Sequence, residues 1–291
     1  EMEVFVQVVE LGGFSAAARA FRMTPSAVSK LVGRLESRLA VRLLNRSTRK
    51  VQLTPEGCVF YERSVRVLAD LLEAERGAAT NDVPRGRLCV NSNVPFGQHF
   101  LLPLVPEFLA RHPDITLDIV LTDEVVDFLE QRADVAVRAG PLKSSRLLAR
   151  KLGATRMVIA GAPAYLERHG VPIQPADLAQ HNRLGFNYAR AMEGWPLLDK
   201  GQTINVATTG NAQVSDGEAL RRLSLAGLGL ARLAAFQVKD DIAAGRLRLV
   251  LEEFNPGDAE EVHAVFLGQG GNMPSRVRAL LDFLVEKVRL D

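Results

Sequence analysis

Residues 14–50 carry nine Lys or Arg (Arg19, Arg22, Lys30, Arg34, Arg38, Arg42, Arg46, Arg49 and Lys50) and one acid, Glu36, in a chain of 291 residues whose formal net charge is only +2. Cations concentrated in this way suit a polyanion, and the first candidate is a nucleic-acid backbone. The residues between the cations sharpen the reading. Ser26, Ser29, Lys30, Gly33, Arg34 and Ser37 share one face of a helical periodicity whose other face is Val28, Leu31, Val32, Leu35 and Leu39. Short hydroxyls beside two cations, with a glycine that lets the backbone come close, fit a helix lying in a DNA major groove.

The elements that must hold these residues are legible around them. Ser15 is placed to cap a short alanine-rich helix, and the break at Arg22-Met23-Thr24 precedes Pro25. Thr24 then reads as an N-cap and Pro25 as the first residue of a helix running to about Leu39. Two helices in this arrangement make a helix-turn-helix whose second helix is the reader. An amphipathic surface helix also turns Lys and Arg outward for solubility alone; the next segment favours nucleic acid. Val41 to Leu53 looks like two short strands around Asn45-Arg46-Ser47-Thr48-Arg49-Lys50, a cationic hairpin tip beside the reader. The expected DNA contacts are therefore Ser15, Pro25, Ser26, Ser29, Lys30 and Arg34 from the helices, and Arg46, Arg49 and Lys50 from the hairpin. Thr54 and Pro55 open a further helix carrying Tyr61, Val65, Leu68, Leu72 and Ala79 at alternating spacings of four and three, a seam that favours pairing with a second helix over packing on its own domain.

FSAAARAF followed by TPSAVSKLVGRLESRLAVRLLNRSTRKVQLTPEG closely resembles the winged helix-turn-helix of LysR-type transcriptional regulators. The resemblance continues through RGRLCVNSNVPFGQHFLLPLVPEFLARHPDITLDIVLTD, ADVAVRAGPL, LLARKLG and GEALRRLSLAGLGLA. It implies an α/β fold class with a winged-helix N-terminal domain, a linker helix, and two α/β subdomains of the periplasmic-binding-protein (type 2) kind with a small-molecule cleft between them. It also implies a DNA-binding domain at about 1–57, a dimerising linker helix at 58–80, a hinge at 81–86 and an effector domain at 87–291. In that effector domain, subdomain I would take about 87–160 and 266–291, and subdomain II about 161–265. The implied partners are an inverted-repeat operator in double-stranded DNA, a small-molecule effector and further copies of the chain, as a dimer through the linker helix and a tetramer of two dimers; RNA polymerase is a further candidate. Two departures limit what transfers. Arg232-Leu233-Ala234 stands where relatives commonly have a proline after the GLGL stretch, and Lys30 stands where arginine is frequent, which removes bidentate capacity for guanine.

Beyond the turn formers at Thr80–Gly86, strand-like runs (LCVNS, TLDIVLT, DVAVRA, RMVIAG) alternate with helical ones (FLLPLVPEFLARH, DEVVDFLEQR, PAYLERH), which predicts parallel sheets covered by helices. In such sheets ligands sit past the carboxyl ends of strands. The candidates there are Ser92, Asn93, Val94 and Pro95; Thr122 and Asp123; Arg138 and Gly140; Phe186 and Asn187; and Ser215, Asp216 and Gly217. By resemblance, these positions face the effector cleft. Arg138 is the sharpest, either as a bidentate anchor for a carboxylate or as a salt-bridge partner of Asp134 or Asp123. Trp195 reads as packing in a loop.

Other chemistries find little support. The five histidines have no H-x-x-x-H or HExxH spacing, no serine sits in a G-x-S-x-G elbow, and Gly227-Leu228-Gly229 reads as a helix C-cap and turn. Cys58 and Cys89 lack neighbouring thiols, so neither a disulfide nor zinc is expected, and Cys89 reads as a buried small hydrophobe rather than a redox sensor. No catalytic residue, metal or cofactor is expected apart from the effector. A binding-protein-like enzyme or solute-binding protein with an incidental basic head is the alternative. With no bilayer-length apolar run and no signal peptide, a cytoplasmic location is expected; the opening Glu1 is read as a trimmed start.

Overall fold

The computed structural model describes residues 1–46, 51–76, 83–123, 133–142, 147–188, 194–267 and 273–290. The chain divides into two compact units, Glu1–Val83 and Pro84–Asp291.

In the first unit, helix α1 (Met2–Glu10) buries Val4, Phe5, Val6 and Val8. Helix α2 (Phe14–Ala20) buries Ala17 and Ala18, and α3 (Pro25–Leu39) buries Val28, Val32 and Leu35. Thr24 caps α3 as its sequence predicts, its side chain accepting from the Ala27 amide at 3.2 Å. Ser15 does not cap α2. That helix begins two residues earlier, with Gly13 at the N-cap and no side-chain bond, after a turn at Gly12 with φ +71°. The apolar stripe of α3 also stops short of expectation. Leu39 is exposed, because Ala40 turns left-handed at φ +52° and the last turn overruns the core.

Strands β1 (Leu44–Arg46) and β2 (Val51–Leu53) pair antiparallel, with Leu44 opposite Leu53 and Arg46 opposite Val51. Helix α4 (Pro55–Arg76) follows. Thr54 joins these pieces by donating to the Arg42 carbonyl at 2.7 Å and accepting from the Gly57 amide at 2.9 Å. Gly57 is a packing requirement: a Cβ there would sit 2.0 Å from the Leu43 carbonyl oxygen. Gly57→Ala is therefore expected to destabilise the first unit by about 1–3 kcal/mol through overpacking against backbone. Chemical denaturation reads this directly, and wild-type stability would show that the α4–wing junction yields.

Seam residues Tyr61, Val65 and Leu68 pack partly buried on the unit's own core, Phe5 lying 6.5 Å from the Tyr61 ring and 5.5 Å from that of Phe60. Among the described side chains, the large apolar residues α4 leaves exposed are Val59, Val67 and Leu71. Ala79 and the Leu72 side chain lie outside the described residues.

The second unit runs β3 (Gly86–Ser92); a helical stretch made of α5 (Val94–Phe96), a π turn (Gly97–Leu101) and α6 (Leu102–Arg111); β4 (Ile115–Leu121); β5 (Val135–Ala139); β6 (Leu147–Gly161); α7 (Pro163–His169); β7 (Gly185–Phe186); β8 (Trp195–Asp199); β9 (Gln202–Val206); β10 (Gln213–Val214); α8 (Gly217–Leu225); β11 (Ala231–Ala234); α9 (Ala235–Ala243); β12 (Arg248–Val250); β13 (Ala259–Leu267) and α10 (Ser275–Lys287). The helix expected at DEVVDFLEQR, residues 123–132, lies outside the described residues except for Asp123.

Among the described residues a seven-stranded sheet has the order β11-β6-β13-β5-β3-β4, with β12 also on β6. Within this sheet the expectation of parallel pairing holds for β4, β3 and β5, and outside it for the two-stranded β7–β10 pair. Strand β13 returns antiparallel to both β5 and β6, and β11 and β12 are antiparallel to β6. A strand returning late in the chain needs no crossover helix, so the alternating pattern did not announce it. Strand β6 is fifteen residues long, more than twice the run read from RMVIAG.

Two apolar cores share this sheet. One gathers Leu88, Val90, Phe96, Val135, Leu152, Val262, Phe266 and Leu281, the other Val158, Tyr165, Leu184, Trp195, Leu220, Leu233 and Val250. We call the corresponding regions lobe one and lobe two. Core membership switches along β6 between Leu152 and Val158, and switches back between Leu251 and Val262. Trp195 packs in lobe two, though as the first residue of β8 rather than in a loop.

Candidate functional site

Lys30, Arg34, Pro25 and Ser26 are exposed on α3, with Ser29 and Gly33 half-buried along the same face. The Thr24 and Ser26 hydroxyls lie 3.0 Å apart, and Ser37 donates to the Gly33 carbonyl at 2.8 Å. Ser15 is exposed on α2. Arg38 lies 3.5 Å from Glu1, whereas among the described residues neither Lys30 nor Arg34 has an acidic partner. The Arg46 side chain, Arg49 and Lys50 lie outside the described residues.

The lone acid of this segment does something the sequence did not disclose. Glu36 turns away from the cationic face, and its Oε1 accepts from the Leu43 and Leu44 amides at 2.8 and 3.1 Å. It thereby anchors the start of the hairpin to α3, and among the described residues Lys30 and Arg34 have no acidic partner. A polyanion meeting this face displaces only water and small ions. The signal available in sequence was the seven-residue spacing from Glu36 to the amides after the helix end.

In the second unit the predicted positions separate into structural and open ones. Ser92 is fully buried and its hydroxyl donates to the Asn93 carbonyl at 3.0 Å. Asp216 caps α8, accepting from the Ala219 amide at 2.8 Å, and Ser215 lies 3.2 Å from it. Thr122 donates its amide to the Ser92 carbonyl, and Asn187 its amide to Val214. Gly140, at φ +90°, makes the turn after β5 and donates to the Glu261 carbonyl at 2.9 Å. Phe186 is half-buried on β7, 5.2 Å from the Tyr188 ring.

Val94, Asn93, Asp123 and Arg138 come together. The Val137 carbonyl accepts both from the Asn93 amide at 3.3 Å and from Arg138 Nη1 at 3.1 Å. Asp123 accepts from the Val94 amide at 2.7 Å and from the Gly217 amide at 3.2 Å. Asn93 Oδ1 is buried without a partner among the described residues. Arg138 is half-buried, and Nη1 also donates to Asn91 Oδ1. Neither Asp134 nor Asp123 lies within ion-pairing distance of it; Asp134 instead accepts from the Cys89 amide at 2.8 Å and faces Arg276 at 3.7 Å. Burial pulls the Arg138 guanidinium below its usual value, and the charge of Asp123 offsets part of that. Arg138 thus keeps its full charge with donors to spare, the condition for receiving an anion.

Sequence reading missed a second polar cluster. Glu218 Oε1 lies 2.8 Å from His99 Nε2 and 3.2 Å from Gln237 Nε2, and its other oxygen is 3.2 Å from Arg221. Burial alone would raise the Glu218 carboxyl; the bonds from His99 and Gln237 and the nearby cations outweigh it and hold that carboxyl below the usual range. Among the described residues, no group of three or more His, Cys, Asp or Glu is placed to hold a metal, and no helix is long and apolar enough to cross a membrane.

Comparison with known proteins gives two family-model matches. Residues 1–58 match the bacterial regulatory helix-turn-helix protein, lysR family, and residues 81–289 match the LysR substrate binding domain. The chain is 40% identical over 290 residues to the HTH-type transcriptional regulator CrgA of Neisseria meningitidis serogroup C (strain 8013), covering 99% of this chain and 96% of that one. It is 32% identical over 286 residues to the HTH-type transcriptional activator AaeR of Escherichia coli (strain K12), covering 98% and 92%. The solved structure of CrgA, a LysR-type transcriptional regulator from Neisseria meningitidis, superposes with a TM-score of 0.65 at 39% identity, covering 98% of this chain and 97% of that one.

Proposed function

The chain belongs to the LysR family of transcriptional regulators, and from that premise we propose that α3 reads an inverted-repeat operator while a small organic anion, held by Arg138, sets the regulatory state. The protein is a DNA-binding regulator with an effector domain and is not an enzyme. The observation that carries the operator reading is the exposed cationic face of α3, whose Lys30 and Arg34 have no acidic partner among the described residues while Glu36 accepts from the hairpin amides.

Each dimer places two reading helices in successive major grooves, so half-sites lie about one helical turn apart. Self-association uses the exposed stripe of α4, Val59, Val67 and Leu71, and two dimers form a tetramer. The cell compartment is the cytoplasm, where the operator is, and RNA polymerase is the partner through which DNA occupancy becomes transcription. No cofactor other than the effector enters this reading.

Genome-wide capture of DNA by the purified protein, followed by a footprint of the strongest site at physiological salt, tests the operator. A discrete inverted repeat near a promoter supports the proposal, and uniform binding to all sequences refutes it. Arg138 is tested in the same assay. Arg138→Ala should leave the footprint intact and remove its response to extracts containing the effector, because the bidentate anchor is lost. A response equal to that of the wild type would assign Arg138 to holding Asn91 alone.

A further inference from the structure

We infer that the Asp123 carboxylate is a built-in anion that latches lobe two to lobe one, and that an anionic effector displaces it. Asp123 follows β4 in lobe one, and its two oxygens are divided between the lobes. Oδ1 accepts from the Val94 amide at 2.7 Å, at the start of the helical stretch Val94–Arg111 of lobe one. Oδ2 accepts from the Gly217 amide at 3.2 Å, at the start of α8 in lobe two. The first amides of a helix have no partner within it and form its positive end, so one negative side chain satisfies two helices that belong to opposite sides of the cleft.

The packing around this bridge requires close approach. A Cβ on Gly217 would lie 2.8 Å from Pro95 Cγ and 3.0 Å from Gln237 Nε2, so only bare backbone lets α8 come this near the Pro95 ring. Two further ties run beside it: His99 of lobe one to Glu218 of lobe two at 2.8 Å, and the Phe236 ring of lobe two against the Phe100 and His99 rings of lobe one at 5.1 and 5.6 Å. Asp123 differs from these in its neighbour: it holds the Val94 amide, and the amide of the adjacent Asn93 shares the Val137 carbonyl with Arg138 Nη1.

The displacement rests on the reading above that Arg138 receives the effector's anionic group. A second carboxylate at the half-buried Arg138 enters the field of the first where water is partly excluded, and like charges repel more strongly there than in water. Binding and latching are then antagonistic, and by linkage each weakens the other equally. The effector's binding energy is thereby converted into freedom of α8 relative to lobe one.

Hydrogen–deuterium exchange on the full-length protein without ligand tests the latch, comparing wild type with Asp123→Asn and Asp123→Ala. Asn keeps the shape and one acceptor oxygen, so it guards against misfolding; Ala removes both acceptors. Exchange in the first turn of α8 should quicken at least tenfold in Asp123→Ala and by a smaller factor in Asp123→Asn, with α10 unchanged as the internal reference. First-turn exchange at the wild-type rate in both variants overturns the latch. Calorimetric titration of wild type and Asp123→Asn with acetate, succinate and benzoate tests the displacement. Binding at least tenfold tighter in the variant supports it, and equal affinity overturns it. If none of these anions binds either protein, the anionic-effector reading and the displacement fail together, while the latch stands or falls on the exchange result alone.

Discussion

Asp241→Ala is expected to lower the stability of the second unit by about 3 kcal/mol, the lower end of what removing one partner of a buried ion pair costs. Asp241 on α9 is fully buried, with Arg221 2.6 Å from Oδ2 and Arg246 2.6 Å from Oδ1. Its loss strands Arg221, whose side chain is 19% exposed and which keeps only Glu218 at 3.2 Å. Arg246 is 55% exposed and returns to water, which is why the low end of the range applies. For a unit of this size the loss corresponds to a melting temperature lower by roughly 6–12 °C. Arg246→Ala, by contrast, removes a mostly exposed partner and should cost less than about 1 kcal/mol. Thermal unfolding of both variants decides the matter; equal effects would mean that Asp241 is no more than a surface pair.

The second large effect concerns α3. Arg34→Ala is expected to weaken operator binding by about 1–3 kcal/mol while leaving binding to scrambled DNA nearly unchanged, because a guanidinium reads base edges bidentately. Lys30→Ala is expected to weaken both alike and to lower the slope of log affinity against log salt by about one, the mark of a phosphate contact. Both side chains are exposed, so melting should move by no more than about 0.5 kcal/mol. Fluorescence anisotropy with operator and scrambled duplexes between 50 and 200 mM salt separates the two roles, those being the concentrations over which such contacts change affinity most visibly. If Arg34→Ala weakened all sequences equally, α3 would be a clamp and not a reader.

The head was legible because its signals are local. Thr24-Pro25 fixes where α3 begins, the stripe through Val28, Val32 and Leu35 fixes its inner face, and Thr54-Pro55 opens α4. What escaped depends on pairings distant along the chain. The antiparallel return of β13 between β5 and β6 unites residues over a hundred positions apart, and no periodicity records it. The same holds for Arg221, Asp241 and Glu218, whose charges no local pattern singles out and which the fold encloses as partners. Among the strand-end candidates, Asp123 and Arg138 lie together with Val94 and Asn93, whereas Ser92 and Asp216 make local bonds. Ser92 ends β3 fully buried with its hydroxyl on the Asn93 carbonyl, and Asp216 caps α8. Position past a strand selects a neighbourhood, and only geometry tells a side chain facing the cleft from one that closes a turn.

The place of β13 also dictates an order of assembly. Lobe two lies between the two passes of the chain through lobe one, and the strand that completes lobe one's sheet comes from residues 259–267. A nascent chain ending before that strand has β5 and β6 with their shared neighbour missing, although all the residues of lobe two's core have already been made. Domains commonly fold in the order they emerge from the ribosome. Here the later segment is the one able to close first, and lobe one waits for nearly the whole chain. A truncation that removes only β13 and α10 therefore takes away the keystone of the lobe whose first strand was made long before.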